Sequence, residues 1–179
     1  MKALRPAWGV PASALLATAL LAQTVTLPDT SHSTTANANV SEQAQVTVPA
    51  NIAFPVTDIA SSTAASAASV TVGNIVLATS TKQLKISIEA GAASFTPPLT
   101  GAATWSAGDV TWNAATWTNA TGGSGTLASG IFSTVATCAA NAASCSTAGL
   151  VFTLGAKTTV KRSGNHSLTV IWKFESIGN

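Results

Sequence analysis

The chain has 179 residues, of which 46% are apolar and only 8% are charged, whereas roughly 25% of residues are charged in an average soluble domain. The chain contains eight Lys and Arg and six Asp and Glu, which gives a net charge of +2, and it has no basic run. This composition excludes the basic patch of a typical nucleic-acid-binding protein, and no nucleic-acid partner is expected. The length suits one domain with its own core, preceded by a tail.

The first 22 residues have the layout of a secretory signal peptide. Lys2 and Arg5 precede an uncharged stretch, Val10–Leu21, that is rich in Ala and Leu. This apolar run is shorter than the roughly 20 residues that a membrane-spanning helix needs, so cleavage after Ala19 or Ala22 is favoured over a membrane anchor. We therefore predict export to the periplasm, the cell surface or the medium, with no transmembrane anchor in the mature chain.

A polar arm follows the signal peptide and ends at Gln43. Most of it has neither helical nor strand periodicity, which is typical of a flexible segment. Near its start, Val25 and Leu27 alternate with threonines, the minimum pattern of a segment that can add to the edge of a sheet. An unstructured leader is the alternative interpretation. The predicted organisation is a signal peptide over residues 1–22, a flexible arm over 23–43 and a β-sandwich domain over 44–179.

From Ala44 onward, apolar residues recur at every second position, which is the pattern of half-buried strands. Gly73 and Asn74 predict a bulge that changes which face is buried, and Ser87 belongs to the predicted solvent face of its strand. The predicted strands are Gln45–Val48, Ile52–Val56, Ser69–Leu77, Gln83–Glu89, Val110–Trp112, Thr126–Val135, Leu150–Leu154 and Leu168–Glu175. No segment after the signal shows a sustained helical stripe. The fold class is therefore all-β, an antiparallel β-sandwich of immunoglobulin-like type, with a jelly roll or a barrel as the alternative.

The final strand has the strongest pattern of the chain. Its apolar face carries four residues, and the opposite face is mostly polar; the apolar face consists of Leu168, Val170, Trp172 and Phe174.

The only two cysteines, Cys138 and Cys145, lie seven positions apart in an Ala- and Ser-rich loop. In an exported chain they predict a local disulfide that pins a hairpin tip. A metal site is the weaker interpretation, because the pair lacks C-x-x-C spacing and a nearby His. No metal or cofactor is expected.

The acidic residues do not form a recognisable catalytic pattern. Glu89 and Glu175 lie on predicted solvent faces, and Asp109 is expected to cap a turn. His166 belongs to the turn before the last strand, where a surface position is expected, and no nucleophile motif accompanies it. We expect no catalytic residues and no enzyme.

Trp105, Trp112 and Trp117 form a local concentration of aromatic residues. Exposed in a row, they could stack on the sugar rings of a polysaccharide, as in carbohydrate-binding modules. Burial in the core is favoured, because the chain has no Tyr and only five Phe to supply bulk.

The segments VTVPANIAF (46–54) and SGNHSLTVIWKFE (163–175) resemble the first and last strands of exported bacterial β-sandwich subunits of the spore coat protein U and fimbrial type. The chain departs from that pattern at His166, where the family has an aromatic residue after the turn glycine. The resemblance implies that a periplasmic chaperone delivers the subunits and that they self-associate, the N-terminal arm of one completing the sheet of the next. Val25 and Leu27 of the arm and the apolar face of the last strand would then be the assembly strands.

The expected function is thus an exported, non-enzymatic structural or cell-surface protein, a fimbrial or coat-like subunit. A secreted carbohydrate-binding module is the alternative. Without Lys2 and Arg5, the chain contains six basic and six acidic residues and is neutral overall. A neutral surface solvated by Ser, Thr and Asn permits association between copies.

Overall fold

The computed structural model of the chain describes residues 26–28 and 34–178. The predicted signal peptide with both of its cleavage positions, and Val25 of the arm, lie outside these residues. The chain divides into two units, residues 1–38 and 39–179, and all the strands below belong to the second unit. Among the described residues, no helix is long and apolar enough to cross a membrane.

The described residues form eleven strands and one short 3₁₀ turn, Ala107–Asp109, with no α-helix. The strands are β1 (Gln43–Thr47), β2 (Thr63–Ala64), β3 (Ala68–Val76), β4 (Gln83–Ala90), β5 (Val110–Trp112), β6 (Ala120–Gly122), β7 (Gly125–Thr126), β8 (Ser133–Cys138), β9 (Cys145–Leu150), β10 (Phe152–Leu154) and β11 (Val170–Ile177). Every pair of these strands is antiparallel. The prediction of an all-β antiparallel sandwich is confirmed.

The strands form three sheets, with the orders β1-β3-β9, β2-β10-β5-β7 and β11-β4-β8-β6. The longest register joins β4 to β11 over eight residue pairs, from Gln83↔Ile177 to Ala90↔Val170. The largest side chains that are completely buried come from several strands: Phe152, Ile86, Ile88, Leu127 and Leu150. Since β11 is the edge of its sheet, its second side has no strand partner among the described residues.

The bulge predicted at Gly73 and Asn74 is confirmed. The register between β1 and β3 shifts at this point, where Gln43 faces Val76 but Gln45 faces Gly73. Asn74 has a φ of 50°, a left-handed conformation that Asn tolerates better than most residues. Its side-chain amide donates to Gln45 Oε1 at 3.0 Å, which holds the bulge against β1.

The predicted disulfide between Cys138 and Cys145 is confirmed, but the prediction that it pins a hairpin tip is wrong. β8 ends at Cys138 in the sheet of β4, whereas β9 begins at Cys145 in the sheet of β3. The two strands do not pair with each other, so the disulfide links two sheets.

Three predicted strands differ from the observed ones in more than their end residues. The segment Ile52–Val56 forms no ladder, although its burial alternates residue by residue as predicted. The predicted strand Thr126–Val135 divides into β7 and β8 around Gly130, which has a φ of 75°. The predicted strand Leu150–Leu154 spans the end of β9 and all of β10, which lie in different sheets.

Ser87 is buried, against the prediction that it faces solvent. It lies opposite Lys173 of β11, and the Lys173 ammonium reaches across β4 to a point 5.4 Å from the centre of the Phe132 ring. The Lys173 side chain therefore covers Ser87, whose hydroxyl has no hydrogen-bond partner within the described residues.

Candidate functional site: an apolar cleft beside the last strand

A cleft of about 1040 Å³ lies between the segment of residues 48–59 and the segment of residues 160–172. Most of its lining residues are apolar, several of them also belong to the core, and polar residues line the rest. The first segment contributes Val48, Ile52, Phe54, Val56 and Ile59; the floor contains Phe95, Trp105, Val110, Leu127, Phe152 and Leu154; the second segment contributes Val160, Leu168, Val170 and Trp172. The floor residues are themselves buried, with exposures between 0% and 8%, so the cleft lies over a closed part of the core between two extended segments.

The two segments that border the cleft have strand-like side-chain patterns. On one side, Ile52, Phe54 and Val56 are half-buried while Ala53 and Pro55 are exposed. An alternation of this kind is normal for a strand at the surface of a core. Among the described residues this segment has no strand partner on either side, so it keeps the side-chain alternation of a strand without the ladder.

On the other side of the cleft, the edge of β11 and the residues before it offer free backbone groups. The N–H of Ser167 donates to the Thr96 carbonyl at 3.1 Å, and the Ser167 carbonyl accepts from the Thr96 N–H at 2.7 Å. The Thr169 carbonyl accepts from the N–H of Gly91, also on the β4 side, at 2.9 Å. Because backbone groups of alternate residues point to opposite sides of an antiparallel strand, the N–H and C=O groups of Leu168 and Val170 point away from β4, to the side that has no strand partner among the described residues.

Lys161 and Arg162 form an exposed basic rim on the cleft. The other four cations of the described chain, Lys82, Lys85, Lys157 and Lys173, each have a carboxylate partner. Neither Lys161 nor Arg162 has an ion-pair partner among the described residues. The rim is therefore a place where a negative charge would be favoured.

His166 stands at the same end of the cleft as the basic rim. Its Nδ1 lies 2.7 Å from the hydroxyl of Thr104, and its Nε2 lies 3.1 Å from the carbonyl of Arg162. The imidazole ring also packs edge-on against Trp105, with ring centroids 5.2 Å apart. His166 is therefore half-buried and holds the turn over residues 162–166 against the cleft floor, whereas the sequence predicted a surface residue.

The structure buries each member of the tryptophan cluster. Trp105, Trp112 and Trp117 are 5%, 3% and 9% exposed. The Trp105 indole N–H donates to the Gly155 carbonyl, and the Trp112 indole N–H donates to the Gly123 carbonyl, both at 2.9 Å. The three rings therefore present no exposed row on which a sugar could stack; only Trp105 borders the cleft.

Asp109 caps the 3₁₀ turn, as its sequence context predicted. Its carboxylate accepts from the Ser106 N–H at 2.7 Å and from the Ser106 hydroxyl at 2.9 Å. Lys157 donates to the same oxygen at 2.7 Å. Partial burial acts to raise the pKa of Asp109, but the hydrogen bonds from Lys157 and Ser106 outweigh it, so the pKa is lowered.

We expect Asp109→Asn to lower the free energy of unfolding by about 1 kcal/mol at pH 7, because Lys157 and the turn lose a partly exposed charged partner. The lowered pKa means that this stabilisation is complete above pH 3.8, the ordinary value for Asp, and is lost as the pH falls through the lower folded value. Urea titrations from pH 7 down to pH 3 measure both effects. Glu89→Gln is the control, since Glu89 has no ion-pair partner among the described residues. An equal loss in both variants would contradict the assigned role of Asp109.

The carboxylate of Glu175 is engaged in contacts separate from those of Asp109. Glu175 is ion-paired with both Lys85 and Lys173, and hydrogen bonds from Lys173 and Lys85 lower its pKa. The described residues contain no group of three or more His, Cys, Asp or Glu side chains that could hold a metal ion.

Glu42 fixes the point where the arm leaves the β-sandwich. Its carboxylate accepts from the Ala78 N–H at 2.7 Å, from Lys82 at 3.0 Å and from the Ser176 hydroxyl at 3.3 Å. The backbone hydrogen bond from Ala78, followed by the Lys82 contact, lowers the pKa of Glu42. Since Ser176 is near the end of β11, the arm departs at the C-terminal end of that strand.

Of the predicted assembly residues, four lie together. Leu168, Val170, Trp172 and Phe174 are partly buried against the core, and the first three line the cleft. Leu27 is 82% exposed. Phe95, Lys161 and Arg162 also line the cleft, although no local sequence pattern marks them, because only long-range packing brings them there.

No protein-family model, no curated protein and no solved structure matches the chain.

Proposed function

We propose that this protein is an exported structural subunit, of a fimbrial or coat-like kind, in which the N-terminal arm of one copy occupies the cleft of the next. The role is structural and not enzymatic. A periplasmic chaperone that covers the cleft before assembly is the partner expected during export.

The observation that carries the proposal is the cleft between an extended segment that has no ladder and the edge strand of a sheet. The segment around Phe54 has alternating burial but no ladder, and β11 presents its free edge across the gap. A sheet edge with unpaired backbone groups beside an apolar cleft is the feature that strand addition satisfies. A single inserted strand would supply ladder hydrogen bonds to β11 and apolar side chains to the floor.

The arm has a segment of suitable chemistry. Val25 and Leu27 alternate with Thr24 and Thr26, so that an extended conformation places both apolar side chains on one face. Leu27 is exposed in its own chain, and its burial in a partner's cleft would remove most of an exposed Leu from water, a gain of about 1.5–3 kcal/mol. The low surface charge adds little repulsion between copies.

Assembly should therefore fail when the apolar face of the arm becomes charged. Val25→Asp combined with Leu27→Asp is expected to weaken self-association at least a hundredfold, because a carboxylate buried in the cleft without a partner costs several kcal/mol. Thr24→Asp combined with Thr26→Asp is the matched control, since those side chains lie on the opposite face. Light scattering and electron microscopy of the exported full chain measure the assembly.

Deletion of residues 23–38, which leaves Glu42 and its contacts intact, provides a second test. The proposal predicts a protein that no longer forms chains of subunits. Unchanged assembly after this deletion, or equal effects of the two Asp pairs, would overturn the proposed function.

A further inference from the structure

We infer that Asp29 of the inserted arm pairs with the basic rim formed by Lys161 and Arg162, and that this contact sets the direction and register of the arm. The arm then runs antiparallel to β11, with Leu27 opposite Leu168 and Val25 opposite Val170. The inference rests on the proposed function and names its specificity-determining residues.

Charge complementarity supports this pairing. The arm bends at Leu27 and Pro28 in its own chain, and the register applies to the arm once it is extended: Asp29 then lies on the same face as Val25 and Leu27, because alternate side chains share a face. The register above brings Asp29 opposite His166. The carbonyl of Arg162 is 3.1 Å from His166 Nε2, so the only two cations without an ion-pair partner in the described chain adjoin this position. An acid that follows two apolar residues therefore matches an apolar cleft that ends in a basic rim.

Backbone hydrogen bonding supports the same register. Strand alternation directs the backbone groups of Leu168 and Val170 away from β4, to the unpartnered edge, whereas Ser167 uses both of its groups on Thr96. The register places Leu27 and Val25 opposite the two residues that offer hydrogen bonds. It places Pro28, which has no N–H, opposite Ser167, whose N–H and C=O are both bonded to Thr96. The proline therefore loses no hydrogen bond to this edge.

Other arrangements are worse for the same segment. A shift by two residues in one direction moves Leu27 away from Leu168 and places it opposite the polar His166. A shift by two in the other direction sets Asp29 opposite Leu168, and a parallel arm with Leu27 opposite Val170 sets Asp29 opposite Trp172. Both positions belong to the apolar lining, where an unpaired carboxylate is costly. A shift by one residue turns Val25 and Leu27 away from the core.

The direction of the arm favours a second copy over the chain's own arm. Glu42 is held beside Ser176, at the C-terminal end of β11. The C-terminal end of the chain's own arm is therefore held at the C-terminal end of β11. If this arm entered the cleft directly, it would run parallel to β11. The antiparallel direction, which pairs Asp29 with the rim, suits an arm that arrives from another molecule.

Charge reversal in the full exported chain tests the pairing. Asp29→Lys alone, or Lys161→Asp with Arg162→Asp, is expected to raise the concentration for half-maximal assembly roughly threefold to tenfold at low salt. The three substitutions together should restore it to within about twofold of the original. Thr26→Lys, on the opposite face, is the control and should change it little. If the three substitutions together assemble no better than either reversal alone, the pairing is wrong.

Cross-linking tests the register independently of affinity. Asp29→Cys copies are mixed with Arg162→Cys copies or with Lys173→Cys copies and treated with a short thiol-reactive cross-linker. The inference predicts efficient linkage at position 162. Preferred linkage at position 173 would overturn the register while leaving the proposed function intact. No linkage at either position, together with normal assembly after deletion of residues 23–38, would overturn both.

Discussion

Gly125→Ala is expected to lower the free energy of unfolding by about 1–3 kcal/mol, the range for an overpacked core. Gly125 of β7 pairs with Trp112 of β5, and a Cβ at this position would lie 2.4 Å from Cζ2 of the Trp112 ring. The ring cannot withdraw freely, because it is buried and its indole N–H is bonded to the Gly123 carbonyl. The added methyl group must therefore displace the ring or separate the strands.

Thermal and urea unfolding of the purified protein measure this loss. Gly108→Ala is the control, because an added Cβ there meets no atom within 4 Å. The control should leave the midpoint nearly unchanged. Near-ultraviolet circular dichroism should show the altered packing of Trp112 in the Gly125 variant alone. Equal midpoints for the two variants would contradict the close packing of Gly125 on the ring.

Removal of the disulfide by Cys138→Ala and Cys145→Ala is expected to cost about 2–3 kcal/mol. Closure of this short loop accounts for about that amount through the entropy of the unfolded chain. Both cysteines are buried, with exposures of 0% and 1%, so the loss of two sulfur atoms from the core adds to the cost. The effect reaches two sheets because β8 and β9 belong to different ones.

Reducing agent separates this contribution from a general weakening of the protein. Dithiothreitol should lower the unfolding midpoint of the original chain toward that of the double variant and leave the variant unchanged. If dithiothreitol changes the stability of the original chain and of the double variant equally, the disulfide does not make the contribution expected of it. The measurement uses urea titration at neutral pH under otherwise identical conditions.

Local pattern was sufficient to predict several elements of the fold. β5 has the predicted bounds. β4 and the last strand were predictable because apolar residues recur at every second position, and residues two positions apart share a face of a strand. The bulge at Asn74 was also predictable, since Gly73 and Asn74 lie next to each other where the alternation of apolar and polar residues shifts by one position. The bond between Cys138 and Cys145 followed from proximity in the sequence.

Other features depend on contacts between distant residues, which no local pattern specifies. The segment around Phe54 has the sequence pattern and the burial of a strand, yet it lacks a partner. Whether β8 and β9 form a hairpin is decided by the positions of β4 and β3, not by their own sequences. The cleft itself unites residues more than one hundred positions apart, so only its two borders, and not their proximity, were visible in the sequence.

The bridge between Cys138 and Cys145 has a consequence for chain continuity. The intervening residues, 139–144, are mostly exposed, and the bond spans them with Cα atoms 5.8 Å apart. A peptide bond cut in this loop leaves both fragments covalently joined and the sheets on either side of it tethered. The loop is therefore a place where the molecule can be nicked, or opened to accept inserted sequence, without its halves coming apart.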